Sequence, residues 1–246
     1  MHGKPDTHPD QLEASLNTTP MAPAEQEADA PPRTSGPGRP GGRAAKRRAI
    51  TQGARTVFGR EGYSRTSIEA IAAEAGVSTR TIYNHFSGKE QLFSDVVHDS
   101  ASQVADAFIA TVDEQVTGTD PQADLLALGR AFVGQRTQFP EHFAMIQQIM
   151  AEVQHFPAAV IDTWQQAGPM RVQREVARQL EQLTEAGLLR IEDPALGTVH
   201  FIALVTSEIT IRPHGSPALG PARTRDCVIR AVDTFLHGYG AAPSTQ

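Results

Sequence analysis

Six hydrogen-bonding side chains fall within seven consecutive positions: Thr79, Arg80, Thr81, Tyr83, Asn84 and His85. On the outer face of a helix they could read the edges of base pairs. The Arg80 guanidinium fork matches O6 and N7 of guanine, and Thr79 could meet a thymine methyl or a phosphate. Tyr83 and His85 lie at the far end of the run and suit phosphate contacts. Lys89 follows in the first turn of another helix, where its charge would meet phosphate beside free backbone N–H groups. Plain readings stand alongside. Arg80 and Lys89 could be solvated surface charge, and Tyr83 could pack partly into the core while its hydroxyl reaches outward. All of this requires Val77, Ile82 and Phe86 to point inward.

The flanking sequence contains elements that would hold the run in place. Ile50, Ala54, Val57 and Phe58 make a helical apolar stripe, which should stop near Gly62. Thr66 followed by Glu69 fits a capping box for a second helix carrying Ile68, Ile71, Ala72 and Ala75 on one face. Gly76 supplies a tight turn where a side chain would crowd a neighbouring helix. Ser78 can cap a short third helix, and Ser87 with Glu90 forms another possible capping box for a fourth. Two short helices across a glycine turn, inside a three-helix unit, make a helix-turn-helix whose second helix fits the major groove.

The charge distribution agrees with that assignment, although the total does not. The 246 residues carry a net charge of -6, which argues against a nucleic-acid partner when averaged. Divided along the chain, residues 1–32 sum to -5, residues 33–95 to +6 and residues 96–246 to -7. A basic module is therefore embedded in an acidic protein. Residues 1–42 hold eight prolines and no aromatic, so they are expected to be disordered. Their end, with Arg39 just before Arg43, is either a solvated linker or an arm that enters a minor groove. Arg48, at the start of the first stripe, joins the expected DNA contacts. One cysteine rules out an internal disulfide, and no run of 18 apolar residues suggests a membrane span, so a cytoplasmic protein is expected.

Thr66-Ser67-Ile68, the run Ile71-Ala72-Ala73-Glu74-Ala75-Gly76-Val77-Ser78, then Thr81-Ile82-Tyr83-Asn84-His85-Phe86 and Lys89-Glu90-Gln91-Leu92-Phe93 resemble the DNA-binding signature of tetracycline-repressor-type regulators. The resemblance implies an all-α protein of about nine helices, with a helix-turn-helix domain at 43–93 and an effector and dimerisation domain at 94–240. It implies a homodimer on a near-palindromic operator in double-stranded DNA, with no cofactor. It also implies that Thr79 and Arg80 read bases, while Thr81, Tyr83, His85 and Lys89 touch phosphate. Thr66, Ser78 and Asn84 complete the expected DNA-facing set. The position of Arg80 is often glycine in such regulators, so a long side chain here points to direct base reading.

Downstream, Leu92 to Val112 keep a helical period, giving a long lever from the DNA-binding unit into the second domain. Asp120-Pro121, Asp193-Pro194 and Pro221 should open later helices. The stretches Glu152-Val153-Gln154-His155-Phe156-Pro157 and Ala167-Gly168-Pro169 resemble the C-terminal domain of the AefR-like variety. An apolar inducer pocket is expected from Phe108, Met145, Gln148, Ile149, Glu152, Trp164, Phe201 and Val205. A dimer interface on the last two helices is expected from Ile202, Ile209, Val228, Val232 and Phe235, with intradomain core as the plainer reading. No zinc motif, nucleophile elbow or phosphate loop is present, which argues against metal binding and catalysis. Cys227 reads as a small buried hydrophobe. The expected function is a repressor released by a small apolar or aromatic inducer; the alternative is a DNA-binding regulator without a small-molecule effector.

Overall fold

The computed structural model describes residues 40–240, apart from 152, 154, 155, 157 and 212–218. Ten helices occur among them: α1 (Pro40–Arg65), α2 (Ile68–Glu74), α3 (Thr79–Tyr83), α4 (Lys89–Gln115), α5 (Pro121–Gln138), α6 (Pro140–Ala151), α7 (Ala158–Ala167), α8 (Pro169–Glu185), α9 (Pro194–Thr210) and α10 (Pro221–Tyr239). The described residues include no strand, only an isolated antiparallel bridge between Leu189 and Gly240. The expected all-α class is what the chain adopts.

Proline opens six of the ten helices, α1, α5, α6, α8, α9 and α10, because its fixed φ suits the first helical turn and its missing N–H is not needed there. Asp120 caps α5 by accepting from the Gln122 and Ala123 N–H groups. Asp193 does the same for α9 through Leu196 N–H, and Pro221 opens α10. Near the end of α1, Gly62 has a φ of 78°, so the helical path breaks where the sequence suggests it should. A side chain there would collide with its own backbone.

Two of the expected caps slip by one residue. Ser67, not Thr66, caps α2, accepting from Ala70 N–H at 3.1 Å. Thr66 is buried and donates its hydroxyl to Gly62 O at 2.6 Å, closing the loop that follows the kink. At α4 the cap residue is Gly88, which has no side chain to offer. Gln91 reaches back instead, accepting from Ser87 N–H at 2.7 Å. Ser78 caps α3 as expected, accepting from Thr81 N–H at 3.2 Å.

Two apolar cores organise the helices. The first gathers Ile50, Val57, Phe58, Ile71, Ile82, Phe86, Leu92 and Phe93 from α1 to α4, and also takes Met145, Ile149 and Val160 from α6 and α7. The second is built around Phe108, Leu128, Val176, Leu180, Phe201, Val205, Val228 and Phe235. The 27 residues of α4 run through both, so one rigid rod of about 40 Å connects them. Along the seam between α1 and α6, Gln52 donates to Glu141 at 2.9 Å. Arg55, half buried there, donates to Gln103 of α4 at 3.1 Å.

Candidate nucleic-acid interface and effector cavity

The pair α2 and α3 is joined by a turn at Ala75 to Ser78. Gly76 has a φ of 63°, and this, rather than crowding, demands glycine: a Cβ there would meet nothing within 4 Å. The crowded glycine is Gly53 on α1, where a Cβ would lie 2.9 Å from Ala75 N. The close crossing of α1 over the end of α2 thus depends on a residue upstream of the motif.

Inside the unit, Ile82 and Phe86 are buried, which turns the rest of α3 outward. Arg80 and Asn84 are exposed, and Tyr83 is 56% exposed, more than a core-packed ring would be. Thr79, Thr81 and His85 are half-buried at the edge of the same face. The hydroxyls of Ser78 and Thr81 lie 2.9 Å apart, so each orients the other. Burial, with the nearby charges of Arg43, Arg47 and Lys46, lowers the His85 pKa. Arg43, Lys46 and Arg48 are exposed along the start of α1. Arg47 is held in place: it pairs with Asp95 at 2.8 Å and stacks over Phe86, 4.6 Å from the ring centroid. The expected contact Arg39 lies outside the described residues.

Two residues of the expected DNA-facing set point elsewhere. Thr66 is buried, as described above. Lys89 is half-buried, its Nζ donating to Tyr63 O and Thr66 O, both at 3.0 Å, 4.4 Å from the Tyr63 ring centroid. Its charge satisfies carbonyls at the end of α1, where a cation is favoured by the helix dipole. Sequence spacing does not show this, because Tyr63 and Lys89 are 26 positions apart.

The C-terminal half encloses a cavity of about 190 Å³ between α4, α5, α6, α7, α8 and α9. Phe132, Val133, Phe143, Ile146, Val172 and Ile202 supply its apolar wall, and Gln135, Arg136, His142, Gln173 and Thr206 its polar groups. Of the residues expected to line a pocket, the structure brings Trp164 alone to this wall. Met145 and Ile149 face the first core instead, and Phe108, Phe201 and Val205 are buried in the second. Gln148 is half-buried away from the cavity, and Glu152 lies outside the described residues. Ile202 and Ile209, expected at a dimer interface, line the cavity, whereas Val228, Val232 and Phe235 are buried within the chain. The amphipathic stripes are correct as buried faces, but the neighbour each face meets differs from the expectation.

His142 is the buried titratable group of this wall. Its Nδ1 lies 2.9 Å from Ser100 Oγ of α4. Burial, aided by the charge of Arg55, lowers its pKa to about 4, so it is neutral at pH 7. Among the described residues no group of three or more His, Cys, Asp or Glu side chains could hold a metal ion.

These features define a helix-turn-helix DNA-binding protein whose reading unit packs on a larger helical body, and the comparisons with known proteins give its family. Residues 50–96 match the bacterial regulatory proteins of the tetR family. Residues 123–241 match the C-terminal domain of AefR-like transcriptional repressors. The chain belongs to the tetracycline-repressor family of transcriptional regulators. It is 31% identical over 112 residues to the helix-turn-helix regulator TcmR of Streptomyces glaucescens, covering 44% of this chain and 48% of that protein. It is 30% identical over 92 residues to the repressor KstR2 of Mycolicibacterium smegmatis, covering 37% and 43% respectively. The match thus spans about half the length of these curated relatives or less. A crystal structure of a putative TetR-family regulator from Mesorhizobium loti superposes with a TM-score of 0.71 at 29% identity, covering 81% of this chain and 98% of that one. The protein is a DNA-binding transcriptional regulator. Among the described residues no helix is long and apolar enough to cross a membrane.

Proposed function

We propose that the protein is a homodimeric repressor, released from a near-palindromic operator by a small aromatic or apolar inducer. The cavity carries this reading. It is apolar, of a size to hold a small ring, and its walls include α4 and α6, the helices that also enter the first core. A ligand that repositions either helix would move the unit carrying α3, and two recognition helices in a dimer must keep a fixed spacing to meet successive major grooves.

A second copy would sit on the last two helices. Leu196 and Val199 of α9 are 48% and 60% exposed, and Ile229 of α10 is 46% exposed, an apolar outer face that a second subunit would bury. This replaces Val228, Val232 and Phe235, which the chain itself covers. At the DNA, Arg80, Thr79, Tyr83, Asn84 and His85 form the reading face, with Arg43 and Arg48 on flanking phosphates. Arg39 remains a candidate arm contact.

The test begins with operator fragments selected from host genomic DNA by the full-length protein. Single-ring aromatics are then titrated against that complex while anisotropy of the labelled DNA is followed. Saturable release supports the reading. Ligands that bind the protein yet leave operator affinity unchanged would return it to a regulator without a small-molecule effector. Sedimentation of Val199→Glu should show a monomer; an unchanged dimer would move the interface elsewhere.

A further inference from the structure

The size of the cavity restricts its occupant. An apolar cavity of about 150 Å³ is enough to admit benzene, so about 190 Å³ suits one ring with a short substituent. Phe132, Phe143 and Trp164 offer aromatic surface on three helices.

The charges restrict it further. No Asp or Glu lines the wall, and Arg136 is its one permanently charged residue. That guanidinium stacks on Phe143, 5.1 Å from the ring centroid, and makes no ion pair among the described residues. Other exposed arginines, Arg80 and Arg174 among them, also lack an ion pair among the described residues, but Arg136 is the arginine that lines this cavity. Stacking holds the planar fork while leaving its N–H edges open, the geometry that takes both oxygens of a carboxylate. Arg136 is exposed, so the charge lies where the cavity meets solvent.

The rest of the wall brings no anion. His142 is a neutral imidazole whose Nδ1 is engaged with Ser100. Gln135, Gln173 and Thr206 are uncharged. The wall therefore carries one positive charge and no anion to balance it.

We propose that the cavity is a receptor for a small aromatic carboxylate, with its ring between Phe132, Phe143 and Trp164 and its carboxylate on the Arg136 guanidinium. The proposal rests on the effector reading of this cavity. It specifies an anionic ring and rejects an aromatic ammonium, whose charge would face Arg136 with no partner.

The sequence contains a single tryptophan, so the emission of the full-length protein reports on this wall directly. Benzoate, benzylammonium and toluene are titrated at fixed ionic strength. Benzoate should bind at least about tenfold more tightly than benzylammonium, the factor expected from one charge-assisted hydrogen-bonded pair. Arg136→Gln should cost benzoate about tenfold and leave toluene within about twofold; retained toluene binding shows the variant is folded. Equal binding of benzoate and benzylammonium, or unchanged benzoate binding by Arg136→Gln, would overturn the carboxylate assignment while toluene binding upheld the cavity. If neither toluene nor benzoate perturbs the emission, the cavity reading fails, and this proposal with it.

Discussion

His142 makes the stability of this protein depend on pH in a defined window. Its pKa falls from 6.5 to about 4 on folding, chiefly because burial disfavours the imidazolium. The unfolded chain takes up a proton near pH 6.5, while the folded chain resists until about pH 4. Between these values the unfolded state binds more protons, so stability falls as the pH drops through that range and levels off below it. One pKa unit corresponds to about 1.4 kcal/mol, so the full loss is about 3 kcal/mol, of which about 2 kcal/mol has gone by pH 5. Other groups contribute to the pH dependence of the whole protein, so the observable is a difference between two proteins. His142→Gln keeps a polar side chain toward Ser100 and cannot titrate. Urea unfolding of both proteins is measured at pH 8, 6.5 and 5, at one protomer concentration because association contributes to stability. The wild type should lose about 2 kcal/mol more than the variant between pH 8 and pH 5. Parallel curves would refute the reasoning, since they would mean that His142 protonates in the folded protein as easily as in the unfolded one.

Three further outcomes follow from the DNA-binding unit. Gly53→Ala should destabilise the protein by about 1–3 kcal/mol, as overpacking does, because the new Cβ would lie 2.9 Å from backbone at Ala75. Thermal unfolding reads it, and an unchanged midpoint would show that α1 can shift freely over α2. Lys89→Met should lower stability by about 1–3 kcal/mol through the two freed carbonyls, with little change in the salt dependence of DNA binding. A salt slope reduced by about one, at unchanged stability, would instead make Lys89 a phosphate contact. Arg80→Ala should reduce discrimination between operator and random DNA by about 1–3 kcal/mol if the guanidinium reads a guanine edge. Equal losses on both DNAs, seen in parallel gel-shift titrations, would assign Arg80 to the backbone.

Much of the fold was legible because its signals are local. Asp120-Pro121, Asp193-Pro194 and Pro221 start helices through contacts within a few residues, and Ser78 caps α3 in the same way. The ordered run from Ile68 to Phe86 identifies the helix-turn-helix because its inward and outward positions alternate with one short helical period. Even there, the choice between Thr66 and Ser67 as the α2 cap was decided by the kink at Gly62, which swings the Thr66 hydroxyl onto a carbonyl of α1.

Contacts between distant segments were beyond the reach of spacing. Lys89 meets carbonyls 23 and 26 positions away, and Gly53 is required by Ala75. Met145, Ile149, Phe201 and Trp164 have similar apolar character, yet the first two complete the core that α1 to α4 build, Phe201 fills the second core, and Trp164 borders a cavity. The sequence by itself determined which faces are apolar, where most helices begin and which short run faces outward, because those depend on neighbours along the chain. The tertiary structure alone decided which buried face meets core and which meets empty space, and left Arg136 without a carboxylate partner. A helical period specifies that a side chain is covered; what covers it depends on how the helices pack.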